Sequence, residues 1–356
     1  MTWPPEHHPD STDDQNQVQQ PADSIENTRA VFDASEPPAD EQAERLSSTG
    51  ETDVPATNSQ SDPISAFSSD YVEPPIFHDI FEPDKVYPER IPHLGHVGVL
   101  ILLSLSGLFC TSVVARLALR FHLFGIQSVT QALTDIHYTL GSEGIFYVIT
   151  FAFSLVVFPL LWHKSLLAGL HWRGDVALRR RGRLISAALL CFLLALLDGW
   201  IMPGPSNSPI DRIFRLPGAA WMLFGFGVTL APFFEEMGFR GFLLPSLCTA
   251  FDWAGEKIMH TLPRPLDEHG HPQWSFPAMA AATLLSSMPF ALMHADQTGY
   301  AIGPFLLLFA VSIVLSAVRL ATRSLASCVL VHACYNFFLF ALMFFGTNGF
   351  RHLENF

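Results

Sequence analysis

The sequence predicts an all-α fold: a polytopic bundle of about seven transmembrane helices preceded by a disordered acidic tail. Three observations carry this reading. Of the 356 residues 49% are hydrophobic and only 15% charged, with 31 Phe and a mean hydropathy of +0.30, a mix too apolar for an ordinary soluble domain. Apolar runs approaching the roughly 20 residues needed to cross about 30 Å of hydrocarbon recur after residue 94. The charge is also segregated: residues 1–85 hold 19 Asp and Glu against 3 Lys and Arg, net −16, whereas residues 86–356 hold 14 against 17, net +3.

The segment 1–88 is expected to be a disordered tail and 89–356 the membrane domain. Eleven prolines, many Ser, Thr, Gln and Asn, and few large apolar side chains leave the first 85 residues unable to bury enough surface to offset chain entropy. The start, MTWPPEHHPD, is acidic and Pro-rich rather than basic and then apolar, so no signal peptide is expected. Neither part offers a strong basic patch, which argues against a nucleic-acid partner. The five cysteines, Cys110, Cys191, Cys248, Cys328 and Cys334, are scattered without CxxC spacing. They read as small core residues rather than a disulfide framework or zinc knuckle.

The expected spans are Val97–Ala115, Gly144–Trp162, Leu184–Met202, 218–234, Phe276–Met293, Ile302–Val318 and Leu325–Phe345. The fifth is the least regular because Pro289 interrupts it. No repeat of fixed period supports an inverted-repeat transporter. Between spans two and three lie Lys164, Arg173, Arg179, Arg180, Arg181 and Arg183 against one acid, Asp175, which by the positive-inside rule puts that loop in the cytoplasm. Counting back places the N-terminus there, and counting forward places Arg319 and Arg323 there, in a multi-pass protein of the plasma (inner) membrane. The stretch 246–275 reads as a solvated loop, with His260, His269 and His271 lacking ligand-like neighbours.

Ionisable groups inside spans cost about 2.5–3.5 kcal/mol each at the helix centre and need a reason. Three clusters stand out: Glu235, Glu236 and Arg240 closing one apolar run, His294 four residues after Phe290, and His332 with Asn336 inside the last span. Glu236 and Arg240, at i and i+4, share a helix face and form an ion pair by expectation. Glu235 is turned about 100° away and is left to hold or activate a water. His332 and Asn336 share a face that Cys334 does not, which argues against a Cys-His-Asn nucleophile. Asp198 and Asp296 read as edge residues. A carboxylate that activates water, with donors for a developing oxyanion, is what amide hydrolysis requires.

In this order the motifs EExxxR (Glu235 to Arg240), FxxxH (Phe290 to His294) and HxxxN (His332 to Asn336) resemble those of the CPBP family of intramembrane endopeptidases. That family includes the type II CAAX prenyl endopeptidase and bacterial relatives linked to bacteriocin processing and immunity. The resemblance spans roughly residues 215–345. It implies that Glu235 and His294 position and activate the water, that His332 and Asn336 stabilise the oxyanion, and that Glu236 and Arg240 support the first motif. The implied substrate is a membrane-associated or lipidated peptide or protein met at the lipid, in eukaryotic members a prenylated CaaX protein.

Two readings compete with hydrolysis: a catalytically idle immunity or scaffold protein of the same fold, and a transporter with a proton relay. No cofactor is expected. The alternative is zinc on a 2-His-1-carboxylate site, but no HExxH helix is present and such a site leaves no separate carboxylate base. One geometric problem follows from straight spans. His294 would lie about 27 Å beyond Phe276, and His332 only about 10 Å beyond Leu325, so the two meet only if the fifth helix is broken or tilted and starts outside the hydrocarbon.

Overall fold

The computed structural model describes residues 90–205, 208–216, 218–267 and 271–352, all within one compact unit. The acidic segment 1–88 and His269 lie outside the described residues. Among the described residues the fold is helical, with no β-strand and a single isolated bridge, Leu266 to Pro272.

Helix α1 (Leu94–Arg120) starts at His93, whose side chain accepts from the Gly95 amide while His96 closes a capping box. The short α2 (Val129–Thr134) leads to α3 (Ile136–Trp162), capped by Asp135. α1 and α3 pack along each other, and Gly107 permits the closest approach, since a Cβ there would sit 2.4 Å from Thr150 Oγ1. Two short helices, α4 (Leu166–Gly169) and α5 (Gly174–Arg179), occupy the basic connection before α6 (Arg181–Ile201). α7 (Pro209–Phe214) follows.

The expected fourth span is divided. α8 (Ala219–Val228) ends at Thr229, and α9 (Leu230–Glu236) runs into a π-helical segment, Met237–Leu243. Pro232 explains the division, because it has no N–H to offer the Val228 carbonyl and its ring crowds that position. Thr229 turns its hydroxyl back onto the Gly225 carbonyl at 2.6 Å. The stretch expected as a solvated loop is half helix: α10 (Leu244–Met259) buries Leu244, Cys248, Thr249 and Asp252. Its continuation is tied down as well, with Trp274 Nε1 donating to Thr249 at 3.1 Å and the Ser275 amide to Asp252 at 2.9 Å. Of the loop histidines, His271 packs against His171, ring centroids 4.5 Å apart, and its Nδ1 lies 3.1 Å from Asp267.

α11 (Phe276–Leu292), α12 (Ile302–Thr322) and α13 (Leu325–Gly346) complete the chain. α11 has 17 residues, about 25 Å, and runs unbroken through Pro289, so of the expected alternatives, a broken or a tilted helix, the break does not occur. It ends just before His294 instead. Five of the seven expected spans, α1, α3, α6, α12 and α13, are long, apolar, uninterrupted helices. Only 11% of the apolar stretch of α1 is buried in the protein and 28% of that of α13. Ile101, Leu102, Leu105, Leu108 and Phe109 all face outward. A band of this kind has a favourable neighbour in lipid and none in water, which makes the chain an integral membrane protein. α13 lies at the centre, packed on α6, α8, α9 and α12, with Val331 and Tyr335 buried against Ala188, Cys191, Val311 and Leu315.

Candidate active site

The first motif closes α9 and enters the π-helical turn. Glu236 is fully buried and its Oε1 accepts from two donors, Arg240 at 2.8 Å and His332 Nδ1 at 2.8 Å. Arg240, 1% exposed, passes its other nitrogen to Ser312 of α12, donating to the hydroxyl at 2.7 Å and the carbonyl at 3.1 Å. The Phe290 ring covers the guanidinium, with the cation 4.4 Å from its centroid. Glu236 is therefore the point at which α9, α12 and α13 are joined.

Glu235, its immediate neighbour, has none of this. Its Oε2 is buried and accepts no hydrogen bond from the described protein. It faces two imidazoles, His294 Nε2 at 3.9 Å and His332 Nε2 at 3.8 Å, so the structure brings residues of α9, the turn after α11, and α13 to one point. With α11 unbroken from Phe276 to Leu292, the expected alternative that remains for this meeting is a helix that is tilted and begins outside the hydrocarbon.

The other ring nitrogens fix the hydrogens. His294 Nδ1 is 2.9 Å from the Phe290 carbonyl and His332 Nδ1 is bound to the Glu236 carboxylate. Both partners only accept, so each Nδ1 carries the proton. In the neutral imidazoles both Nε2 atoms then present lone pairs, as does Glu235 Oε2. Three acceptors aimed at one spot suit a proton donor between them, and the 3.8–3.9 Å separations suit a bridging water better than a direct hydrogen bond. The FxxxH spacing acquires a local reason: the histidine four residues on holds a carbonyl of its own helix's last turn, one of those the helix leaves without an N–H partner.

Asn336 is placed differently from the expectation that it faces an oxyanion. Its Nδ2 donates to the Gly227 carbonyl at 2.7 Å, one of the terminal carbonyls of α8, so one amide hydrogen serves to tie α13 to the divided span. Asp198 is half-buried near the end of α6 and Asp296 is exposed.

Several neighbours escaped sequence reasoning. Ser312 and Arg319 of α12 contact Arg240, Arg319 through Nε to the Arg240 carbonyl at 3.0 Å. Arg319 was expected in a cytoplasmic loop, yet it is 2% exposed. The signal was available: Ser312, Ser316 and Arg319, at i, i+4 and i+7, form a polar stripe on an apolar helix, and all three are buried. Glu143 of α3 lies within electrostatic reach of Glu235 and accepts from the Tyr147 hydroxyl at 3.0 Å. The Tyr147 ring stacks on Phe234 at 4.6 Å, next to the glutamates. A span drawn from Gly144 leaves Glu143 outside it.

Comparison with known proteins gives one family match. Residues 217–338 match the family described as type II CAAX prenyl endopeptidase Rce1-like. No curated protein and no solved structure matches the chain.

Proposed function

We propose that this chain, which carries an Rce1-like domain of the type II CAAX prenyl endopeptidases over residues 217–338, hydrolyses a peptide bond within the membrane by means of a water held between Glu235, His294 and His332. The observation that supports this best is the convergence of Glu235 Oε2 with two imidazole Nε2 atoms at 3.9 and 3.8 Å, each ring oriented through its Nδ1. A water there donates one hydrogen to Glu235 and the other to an imidazole. As its oxygen attacks the scissile carbonyl, Glu235 takes the proton. The C–N bond then breaks, and the proton passes to the leaving amine.

His332 and Asn336 are the proposed oxyanion donors, His332 through the water's proton handed on from Glu235 to its Nε2 before the leaving amine takes it, and Asn336 through the amide hydrogen not given to Gly227. Glu236, Arg240 and Phe290 fix His332 and His294 rather than touch substrate. The proposed substrate is a membrane-associated or lipidated peptide or protein, with prenylated C-termini the class named by the family. The basic residues between α3 and α6 support a cytoplasmic N-terminus, with residues 1–88 proposed as an appendage to the membrane domain. Comparative proteomics of membrane fractions carrying wild type or Glu235→Ala tests the reading. Peptides whose new C-termini vanish in the variant are expected; an unchanged set of C-termini overturns it.

The proposed chemistry is independent of metal. Zinc on Glu235, His294 and His332 would occupy the carboxylate that takes the water's proton in this reading, while Glu236 Oε1 is held by Arg240 and His332. After exhaustive chelation the purified enzyme is expected to keep its activity. Near-stoichiometric zinc in active protein, with activity lost on removal and restored by zinc, replaces this reading with a metalloprotease.

A further inference from the structure

Arg319 is a buried cation whose acceptors carry no formal charge. Among the described residues its hydrogen bonds go to the Arg240 carbonyl (3.0 Å), the Leu170 carbonyl (3.4 Å) and His171 Nδ1 (3.3 Å). A guanidinium removed from water this completely is costly, and its location points to what offsets that cost. In the π-helical segment the Leu244 N–H reaches back five residues to the Phe239 carbonyl. The same register would send the N–H of residue 245 to the Arg240 carbonyl, but residue 245 is proline and has none. Arg319 Nε donates to that same carbonyl.

α12 therefore grips Arg240 at both ends, Arg319 on its backbone and Ser312 on its guanidinium. From Arg240 the contacts run through Glu236 Oε1 to His332 Nδ1, and His332 Nε2 faces Glu235. We propose that Arg319 is a positioning residue for the hydrolysis. It supplies the donor that Pro245 lacks, fixes the wide turn after Glu236, and so holds His332 opposite Glu235. The inference rests on the reading of Glu235 as the base, whereas its structural half, the replaced donor, can be measured without turnover.

The test uses the full chain in detergent with four variants: Arg319→Met, which has no donor, Arg319→Lys, Pro245→Ala, and Arg319→Met combined with Pro245→Ala. Two quantities are read, amide hydrogen exchange across residues 237–249, and kcat and KM per folded molecule on a cleaved peptide. Arg319→Met is expected to speed exchange and lower kcat about ten- to a hundredfold with KM within about twofold. Arg319→Lys, still a donor, falls less, and Pro245→Ala alone stays close to wild type. The double variant recovers most of the lost kcat and exchange protection, because residue 245 now offers an N–H to the Arg240 carbonyl. A double variant no better than Arg319→Met overturns the proposal, as does an Arg319→Met protein whose kcat per folded molecule is unchanged. Wild type that cleaves nothing overturns the proposed hydrolysis instead, and the exchange data then decide the role of Arg319 by themselves.

Discussion

Adjacent glutamates in opposite settings allow a paired measurement. In Glu236→Gln the amide oxygen still accepts where Oε1 did, so shape is nearly kept while the negative charge is lost. What remains is the Arg240 guanidinium, 1% exposed, without a counter-charge. Removing one partner of a buried pair costs about 3–5 kcal/mol, and the retained acceptor argues for the lower end, about 3 kcal/mol. At about 2–4 °C per kcal/mol for a domain of this size, Tm in detergent falls by roughly 6–12 °C. Among the described residues Glu235→Gln breaks no hydrogen bond, so a change of at most about 1 kcal/mol keeps the Tm shift within about 2–4 °C, while turnover is abolished. Thermal denaturation by intrinsic fluorescence, with peptide cleavage on the same preparations, reads both. Equal Tm losses in the two variants, a wild-type Tm for Glu236→Gln, or a fully active Glu235→Gln protein would refute the division of labour.

Asn336→Ala removes the donor to the Gly227 carbonyl and is expected to destabilise by about 1–3 kcal/mol, read by the same melt. A wild-type Tm would show that the contact contributes nothing. His171, outside the spans, is held down to about 3 by burial first, then by Arg319, His271 and Lys164, against the pull of Asp267. The unfolded chain, with histidine near 6.5, therefore binds more protons than the folded one between about pH 6.5 and 3. The stability contribution is complete above pH 6.5 and is lost as pH falls through that window. The difference in stability between wild type and His171→Asn should vary with pH there and be flat above it; a flat difference throughout contradicts the assignment. Deletion of residues 1–85 is expected to leave peptide cleavage intact, and complete loss of cleavage with the membrane domain folded would make the tail part of the active unit.

The long helices are legible because a bilayer imposes length and composition together, so α1, α3, α6, α12 and α13 are written as unbroken apolar runs. The divisions are not. Pro232 sits in a run that hydropathy averages over, whereas α11 ends within one residue of the expected Phe276–Met293. Within the site, i and i+4 spacing brings Glu236 to Arg240 from sequence alone. The bond from Glu236 to His332, 96 residues away, requires α13 to dock, and nothing local encodes it. Arg319 was misread for a related reason: counting charges near span ends gives orientation but is blind to whether a given arginine points out to water or back into the bundle.

The unequal lengths of the helices have a consequence for where such a chain can reside. α1 and α3 each have 27 residues, α6 and α12 have 21 and α13 has 22, so the first pair measures about 40 Å and the others about 32–33 Å. A sheet of lipid matched to the shorter set leaves about 8 Å of the longer pair to be absorbed by leaning or by emerging from the surface. The bilayer's thickness thus bears unevenly on the two sides of the molecule: a thicker one draws the long hairpin upright, while the bundle around α13 must thin the lipid around itself.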